Sequence, residues 1–424
     1  MTEVRGAGPL SGVLVADFSR VLAGPYATML LADLGAEVVK VEGPAGDDTR
    51  GWVPPTRDGV GTYYLAVNRN KRSIALDLGD PGDLAVAHAL SARADVFVQN
   101  FKPGGLARFG LDHESVRARN AATIYCSISG FGSAGGAKLP GYDLLVQGMS
   151  GLMSLTGDPA GTPYRAGISV FDVMTGMHSV IGILAALHHR DATGEGQHVE
   201  TNLLSTALST LVNQTSAYVA GGVVPHRMGN AHLSLFPYEP LATGDGELIV
   251  VAGNNGQFRK LAAVLGHPEW ADDPRFDTIG NRNDNREQLR PLLLGALAAR
   301  SAQEWFEILT GAGLPCGPIN TVQGGVELAE RLGLEPVVDV GGVPTVRNPI
   351  GFSATPASYR LPPPGLDEHG EEIRRWLTAP ESASGSGPTP GSGPAAAPTP
   401  VSGLAPGSGP ATPDAPTAGE ARRD

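Results

Sequence analysis

The chain has 424 residues, of which 41% are hydrophobic, so it is long enough for two or three domains around a large buried core. Its formal net charge of −12 argues against a nucleic-acid surface, which needs an excess of clustered lysine and arginine. The first residues lack the apolar core of a secretory signal, and Cys126 and Cys316 are too few for a disulfide framework or a metal cluster. These features predict a soluble cytoplasmic protein without a nucleic-acid partner, a membrane partner or a bound metal.

Predicted strands and helices alternate through the first half of the chain. Strands are predicted at 13–18, 37–42, 73–78, 95–99 and 123–129. A helix over 24–34 follows the first strand, with Pro25 in its first turn and Gly35 at its end. Because strands separated by helices form a parallel sheet covered on both faces, the pattern predicts an α/β, Rossmann-like large domain over residues 1–225.

The pattern changes after about residue 230. A strand at 247–252 precedes helices at 257–265, 285–299 and 302–311, which predicts a smaller α/β domain over 226–337. The chain is then expected to return to the large domain and complete it over about 338–378. Residues 379–424 are mostly Pro, Gly, Ser, Ala and Thr, which cannot bury enough surface to offset the entropy of ordering, so a disordered tail is predicted there.

A single acid, Asp172, lies between an apolar run that resembles a strand and a long apolar helix. From Val173 to Leu187 the apolar residues recur at the i, i+3, i+4 spacing of one helix face. The start of a helix favours a carboxylate, so Asp172 is either a plain N-cap or a reactive group that the helix keeps ionised. The most apolar part of the helix, 176–187, is too short to span a bilayer and is predicted to be buried core.

Nucleotide and metal motifs give no support for a tightly bound cofactor. The first strand-to-helix turn, 19–25, lacks the G-x-G-x-x-G fingerprint, and the sequence contains no G-x-x-x-x-G-K-[ST] loop. Its ten histidines show no H-E-x-x-H or comparable metal spacing. The sequence therefore predicts a parallel sheet without a dinucleotide cradle, and no metal site.

Eight short segments carry a more specific signal. They are LAGP at 22–25, LADLGAEVVKVE at 31–42, DTRGW at 48–52, NKRSI at 70–74, QNFKPG at 99–104, GYD at 141–143, DVMTG at 172–176 and TGEGQ at 193–197. In this order, the chain from about residue 10 to 377 resembles the family III CoA-transferases of the CaiB/BaiF type. The resemblance implies an enzyme that takes coenzyme A and acyl-CoA as substrates, holds no tightly bound cofactor, and forms an interlocked homodimer.

The same resemblance assigns roles to individual residues. Asp172 falls on the family's nucleophilic aspartate, which attacks an acyl-CoA thioester and passes through a mixed anhydride to an aspartyl–CoA thioester. Gly43 and Gly79 stand where the family has further basic contacts. The residues that the resemblance places against CoA are Val21, Leu22, Leu76, Asn100, Phe101, Lys102, Arg108, Phe109, Lys138 and Tyr142.

The segments 150–153, 252–255 and 317–320 resemble most closely the members that use succinyl-CoA and glutarate. Leu22 replaces the glutamine of formyl-CoA transferase, and the tetraglycine loop of that enzyme is missing, which argues against oxalate and formate. The distal carboxylate of a dicarboxylic acid needs a cation, and the candidates are Arg165 and Arg227, with His232 as a polar helper. An aryl acid such as benzylsuccinate, or an itaconate-like acid, stays an open alternative. The glycine-rich loop 130–136 and the segment 227–232 are candidate sources of oxyanion donors.

Two other functions stay open at this point. Racemases of 2-methylacyl-CoA resemble the same sequence but carry a histidine where this chain has Tyr142, and a tyrosine is a poor base at neutral pH. His178 lies nearly opposite Asp172 on the predicted helix and is expected to be an ordinary helix histidine. The chain could also be a non-catalytic acyl-CoA-binding subunit, and Lys71 and Arg72 could be either ion-pair partners or ligands.

Overall fold

The computed structural model describes residues 8–379 of the chain. The strands there are β1 (Leu14–Phe18), β2 (Glu37–Glu42), β3 (Thr56–Arg57), β4 (Val60–Gly61), β5 (Lys71–Ala75), β6 (Val96–Gln99), β7 (Ile124–Ser129), β8 (His198–Asn202), β9 (Tyr238–Ala242), β10 (Glu247–Val251), β11 (Cys316–Gly317), β12 (Val337–Val340) and β13 (Val343–Val346). The helices are α1 (Ala23–Asp33), α2 (Thr62–Val67), α3 (Pro81–Arg93), α4 (His113–Arg119), α5 (Asp143–Met149), α6 (Leu152–Leu155), α7 (Val170–Thr193), α8 (Leu203–Thr210), α9 (Asn213–Val219), α10 (Asn255–Val264), α11 (Ile279–Asp284), α12 (Arg286–Leu297), α13 (Ala302–Gly311), α14 (Val322–Arg331) and α15 (Gly370–Thr378).

A six-stranded parallel sheet with the order β5-β2-β1-β6-β7-β8 forms the centre of the fold. Ala16 of β1 lies between Val39 of β2 and Phe97 of β6 in the register of this sheet. One face packs against α1 and α7, and the other packs against α3, α4 and α15. Apolar residues cover both faces, so the predicted α/β architecture with a parallel sheet is confirmed.

The sheet differs from the prediction at three places. Strand β5 begins two residues earlier than predicted, because the charged Lys71 and Arg72 are accepted into the strand by ion pairs. Edge strand β8 was not predicted, since polar residues alternate along it. No strand precedes Asp172 either: the apolar run is already part of α7, which begins at Val170.

A second, antiparallel sheet of three strands, β11-β10-β9, lies in the later part of the chain. Together with α10, α12 and α13 it encloses a separate hydrophobic core that runs from Phe236 to Leu314. The described residues all belong to one compact unit, and the predicted boundaries at 225 and 337 stay predictions. Apart from Ala379, the predicted disordered tail lies outside the described residues.

The end of the described chain returns to its beginning. The backbone N–H of His369 donates to the carbonyl oxygen of Ser73 (3.0 Å), and Asp367 accepts from the N–H of Ala75 (2.8 Å). The carbonyl oxygen of Pro364 accepts from the hydroxyl of Tyr64 (3.0 Å). Residues 364–369 therefore complete the polar contacts of the first third of the chain.

Helix α7 is long, as predicted, but its most apolar part is less buried than predicted. Among the described residues it is the helix whose length and composition would allow it to cross a membrane, and 44% of its apolar window is buried. One side packs against α1 and the sheet, while Met177, Ile181 and Leu184 are exposed on the other. The prediction that residues 176–187 are buried core is therefore correct for the side that packs on the sheet, and wrong for the exposed side.

Candidate active site

Asp172 is the third residue of α7, after the N-cap residue Ser169. It does not cap its own helix. The backbone N–H groups of Phe171 (2.8 Å) and Asp172 (3.3 Å) both donate to one carboxylate oxygen of Asp143, which comes from α5. The N-cap interpretation of Asp172 is therefore wrong, since Asp143 does that work and leaves the Asp172 carboxylate for other contacts.

Asp143 is itself fixed by a buried glutamine one helical turn further along α5. The side-chain amide of Gln147 donates to Asp143 and to the carbonyl oxygen of Ile168 (3.1 Å), and its oxygen accepts from the N–H of Ala166 (2.8 Å). Gln147 thus joins the start of α5 to the segment that leads into α7. The position of Asp172 is set by two elements that lie far apart in the sequence.

The electrostatic surroundings of Asp172 disfavour its charged form. Burial, followed by the nearby Asp143 carboxylate, raises the pKa of Asp172 to about 7. The helix dipole favours the ionised form of Asp172, but desolvation and a second carboxylate outweigh the dipole. An ionised Asp172 would be poorly stabilised, and a carboxylate in that condition is a more reactive nucleophile.

Tyr63 of α2 completes the surroundings of Asp172, and sequence reasoning missed it. Its hydroxyl is hydrogen-bonded to Ser169, and burial raises its pKa. The ring of Trp52 packs edge-on against Tyr63, with 5.2 Å between the ring centroids. Trp52 belongs to the quoted segment at 48–52, which was the available signal that this loop lies near the site.

Helices α1 and α7 approach most closely at Gly176, one turn after Asp172. A Cβ atom at Gly176 would lie 2.7 Å from the carbonyl oxygen of Ala23, closer than packed atoms can stand. This contact places the start of α1 beside the first turns of α7. The first strand-to-helix turn, with Val21 and Leu22, is therefore brought to the nucleophile candidate.

Several predicted CoA contacts gather at the carboxyl ends of β1 and β6. The side chain of Asn100 pairs with both backbone groups of Arg20 (2.7 and 3.0 Å), so the turn after β1 is joined to the loop after β6. Phe101 and Lys102 follow in that loop and line a cavity of about 320 Å³. Leu76, directly after β5, is buried.

The other predicted CoA contacts are more exposed. Arg108 stacks on the ring of Phe109, with 4.5 Å between the guanidinium carbon and the ring centroid. Lys138 and Tyr142 lie on the surface. In the glycine-rich loop, the N–H of Gly132 donates to the side chain of Ser129 (3.1 Å). The assignment of these residues to CoA stays a prediction.

The residues predicted to bind the substrate carboxylate differ in whether they already form hydrogen bonds within the chain. The guanidinium of Arg227 donates to the carbonyl oxygens of Asp158 and Gly161 (3.1 Å each), so it holds a loop of its own chain. The Nδ1 atom of His232 accepts from the N–H of Ser234 (3.0 Å), whereas Arg165 is exposed. Residues 8–379 contain no group of three or more metal-ligating side chains arranged to hold a metal ion.

The open alternative for Lys71 and Arg72 is now decided. Lys71 is fully buried and pairs with Asp17 (3.1 Å), and Arg72 pairs with Glu37 and Glu372. Both are ion-pair partners. His178 is exposed, and its Nδ1 contacts the carbonyl oxygen of Met174 (2.8 Å) in the manner of an ordinary helix histidine.

The fold is an α/β fold with a parallel sheet, and the candidate site lies at the carboxyl ends of its strands. A half-buried aspartate at a helix start lies at the centre of this site, which is the arrangement of an α/β enzyme. Residues 10–370 match the sequence profile of CoA-transferase family III. The chain belongs to that family and is a CoA-transferase.

Named relatives and a solved structure agree with this assignment. The chain is 43% identical to the succinate–glutarate CoA-transferase of Agrobacterium fabrum, over 86% of this chain and 94% of the relative. It is 40% identical to the succinyl-CoA:glutarate CoA-transferase of Mus musculus, over 86% and 85%. The crystal structure of a CaiB/BaiF family protein from Brucella suis matches with a TM-score of 0.78 and 43% identity, over 87% of this chain and 99% of that one.

Proposed function

We propose that this enzyme moves CoA from succinyl-CoA to a dicarboxylic acid through a thioester on Asp172. The observation that carries the proposal is the state of Asp172: its carboxylate is not used in capping, and its charge is destabilised by burial and by Asp143. The names of the relatives, which act on succinate and glutarate, support the substrates.

The chemistry consists of two exchanges that mirror each other. A carboxylate oxygen of Asp172 attacks the thioester carbon. The C–S bond breaks, which releases CoA as a thiolate and forms a mixed anhydride between Asp172 and the donor acid. The thiolate attacks Cγ of Asp172, and the donor acid leaves with one oxygen atom that came from Asp172. The acceptor carboxylate then attacks Cγ and expels the thiolate, which in turn attacks the acceptor carbonyl and releases the new acyl-CoA. Asp172 regains one oxygen atom from the acceptor.

The developing negative charge in these steps needs hydrogen-bond donors. Helix α1 begins at Ala23, and its N-cap residue Leu22 has no side chain that caps it, so the N–H groups of its first turn are available to an oxyanion. The contact between Gly176 and Ala23 places this turn beside α7. For the distal carboxylate of the acceptor, Arg165 is the first choice, because the guanidinium of Arg227 is already committed to carbonyl oxygens.

Covalent trapping tests the mechanism. The enzyme is incubated with succinyl-CoA, quenched with hydroxylamine and digested, and a hydroxamate is expected on the peptide that contains Asp172. Asp172→Ala should abolish the adduct, while the matched control Asp158→Ala, which removes an exposed carboxylate, should leave it unchanged. An acceptor panel of glutarate, oxalate and formate then tests the substrate class.

The absence of any adduct across several acyl-CoA donors would contradict the aspartyl mechanism. Exchange of the Cα proton of a 2-methylacyl-CoA would then favour the racemase alternative, and CoA binding without either reaction would favour a non-catalytic subunit. A second readout uses an acceptor labelled with heavy-isotope oxygen. The proposal expects a single labelled oxygen atom on Asp172 after one turnover.

We also propose that the chain forms a homodimer through the exposed side of α7. Helices α5 and α8 pack beside α7 and add exposed Leu145, Met149 and Leu208 to the same region. Continuous apolar surface of this kind marks an interaction site in soluble proteins. Ile181→Asp should lower the mass measured by light scattering, and the control Leu292→Asp, at an exposed apolar residue of α12, should not. A wild-type protein that is monomeric at micromolar concentration would overturn the proposal.

A further inference from the structure

Four buried charges lie beneath the first strand-to-helix turn. Lys71, Asp17, Lys40 and Asp47 alternate in sign, and at most 5% of each residue is exposed. Lys71 pairs with Asp17 (3.1 Å), and Lys40 pairs with Asp47 (2.9 Å). Burying four charges is costly unless each is paired and hydrogen-bonded. The sequence interpretation gave no role to Lys40 or Asp47.

These charges hold the backbone of the turn. Asp17 accepts from the N–H of Ser19 (3.0 Å), and the Lys40 ammonium donates to the Ser19 carbonyl oxygen (3.1 Å). Asn100 then holds both backbone groups of Arg20. Asp47 accepts from the N–H of Val21 with both carboxylate oxygens (3.2 and 3.3 Å). Every backbone N–H from residue 19 to residue 21 is thus bound by a side chain, and those of Arg20 and Val21 are bound by side chains from distant parts of the chain.

Val21 is strained in this arrangement. Its φ angle of +68° lies in the left-handed region, where a β-branched residue is rarely found. Such a conformation is unfavourable and persists only when the surroundings enforce it, most often at ligand sites. Val21 and Leu22 are the residues expected to contact CoA, so the strained position coincides with the expected ligand.

We propose that Lys40 and Asp47 form a clamp that fixes the strained first turn in the conformation that receives CoA. This inference rests on the proposed function, because it takes the turn to be a CoA contact. Lys40 holds Asp47 in place and binds Ser19, and Asp47 binds Val21. Both are positioning residues: neither side chain reaches the ligand, and each acts through the backbone of the turn.

The test compares the same substitution at the two ends of α1. Asp47→Asn weakens the clamp near the start of α1. Asp33→Asn weakens a buried ion pair with Arg69 (2.6 Å) at the end of α1. We expect Asp47→Asn to raise the Kd of CoA, measured by calorimetry, about tenfold through lost preorganisation. The KM of the acceptor acid should change less than about twofold. Asp33→Asn should lower Tm but leave the Kd of CoA within about twofold.

A milder variant keeps the proposal testable if Asp47→Asn does not fold. Thr49 donates its hydroxyl to Asp47 (2.8 Å), and Thr49→Val removes this bond while both charges remain. We expect the Kd of CoA to rise about twofold to threefold, again without an effect on the acceptor KM. A folded Asp47→Asn or Thr49→Val variant with the wild-type Kd overturns the clamp, as does an equal loss of CoA affinity in Asp33→Asn.

Failure of the clamp and failure of the proposed function give different results. If the wild-type enzyme does not bind CoA, the proposed function fails together with the inference. If the wild type binds CoA and forms the Asp172 adduct while Asp47→Asn does so with the same Kd, only the clamp is refuted.

Discussion

The two regions that meet at the candidate site contain buried carboxylates in opposite electrostatic settings. Beneath the first turn, Asp17 and Asp47 are each paired with a lysine. Burial alone would raise the pKa of Asp47, but the Lys40 ammonium and the Thr49 donors lower it below its usual value. At the start of α7, burial and the Asp143 carboxylate act in the same direction and raise the pKa of Asp172 to about 7.

The difference separates structural carboxylates from a reactive one. A carboxylate that is compensated by a cation and by donors is stable and unreactive, so it can hold backbone in place. The charge of a carboxylate that is half-buried beside another carboxylate is poorly stabilised. Such a carboxylate is therefore a better nucleophile toward carbon. We therefore expect substitutions in the two regions to affect different quantities: ligand affinity at the turn, and chemistry at Asp172.

The largest effect is expected from removal of the reactive carboxylate. Asp172→Ala should lower kcat by about 10⁴-fold or more, because no other group can carry the acyl and CoA intermediates. The Kd of CoA should remain within about threefold, since the turn and its charges are untouched. Steady-state kinetics and calorimetry on one preparation check both values. A variant that retains a tenth of the activity would remove Asp172 from the chemistry.

A substitution that pushes the first turn and the start of α7 apart should have the next largest effect on activity. In Gly176→Ala the new methyl group would stand 2.7 Å from the Ala23 carbonyl oxygen, so α1 and α7 must move apart. A displacement of about 1 Å at a reacting centre costs about 100-fold, and we expect a loss of that order in kcat/KM. Gly182→Ala on the same helix is the control, because its methyl group meets only the Val199 side chain, which can yield. Equal losses in the two variants would refute the role of this contact.

A smaller change should follow from removing the second carboxylate. Asp143→Asn keeps an oxygen that accepts from the N–H groups of Phe171 and Asp172, but it removes the like charge. The pKa of Asp172 should fall, and the acid limb of the rate of adduct formation should move about one pH unit lower. Asp33→Asn, at a cation-paired carboxylate, should leave the limb in place. An unmoved limb in Asp143→Asn would show that burial alone sets the pKa.

The last expected effect concerns stability and not activity. A carboxyl group whose pKa is about 7 in the folded protein and about 3.8 in the unfolded chain binds its proton more tightly when folded. This contribution to stability is present in full below about pH 4 and is lost as the pH rises through 7. The Tm advantage of Asp172→Ala over the wild type should therefore grow from about pH 4 to pH 7 and stay level above it. A difference in Tm that does not vary with pH would contradict the raised pKa.

Local sequence signals were sufficient for five of the six central strands and for placing Asp172 at the start of a long helix, although not for the absence of a strand before it. Strand β2 matches its predicted range of 37–42, because its central apolar run is bounded by clear helix and turn signals. The charged start of β5 and the polar edge strand β8 were missed or misplaced, since pairing with neighbouring strands overrides local pattern.

Contacts between distant residues account for what the sequence did not predict at the site. Asp143 caps a helix 29 positions later, and Asp47 holds a residue 26 positions earlier. The spacing of residues along the chain does not predict such pairs. The same holds for Tyr63, whose contact with Ser169 depends on how α2 packs against the start of α7.

The return of the chain end to its beginning has a consequence for synthesis. Asp367 binds the N–H of Ala75 across 292 positions, and Pro364 accepts from Arg50. Arg50 also pairs with Glu42, which binds the backbone N–H of Asp47. At about 5–20 residues per second, a ribosome needs roughly 15–60 s to supply these partners. Throughout that interval the nascent chain already contains the first strand-to-helix turn, but it lacks some of the hydrogen bonds and ion pairs that fix this turn. Full affinity for CoA should therefore appear only after the segment around Pro364 has left the ribosome.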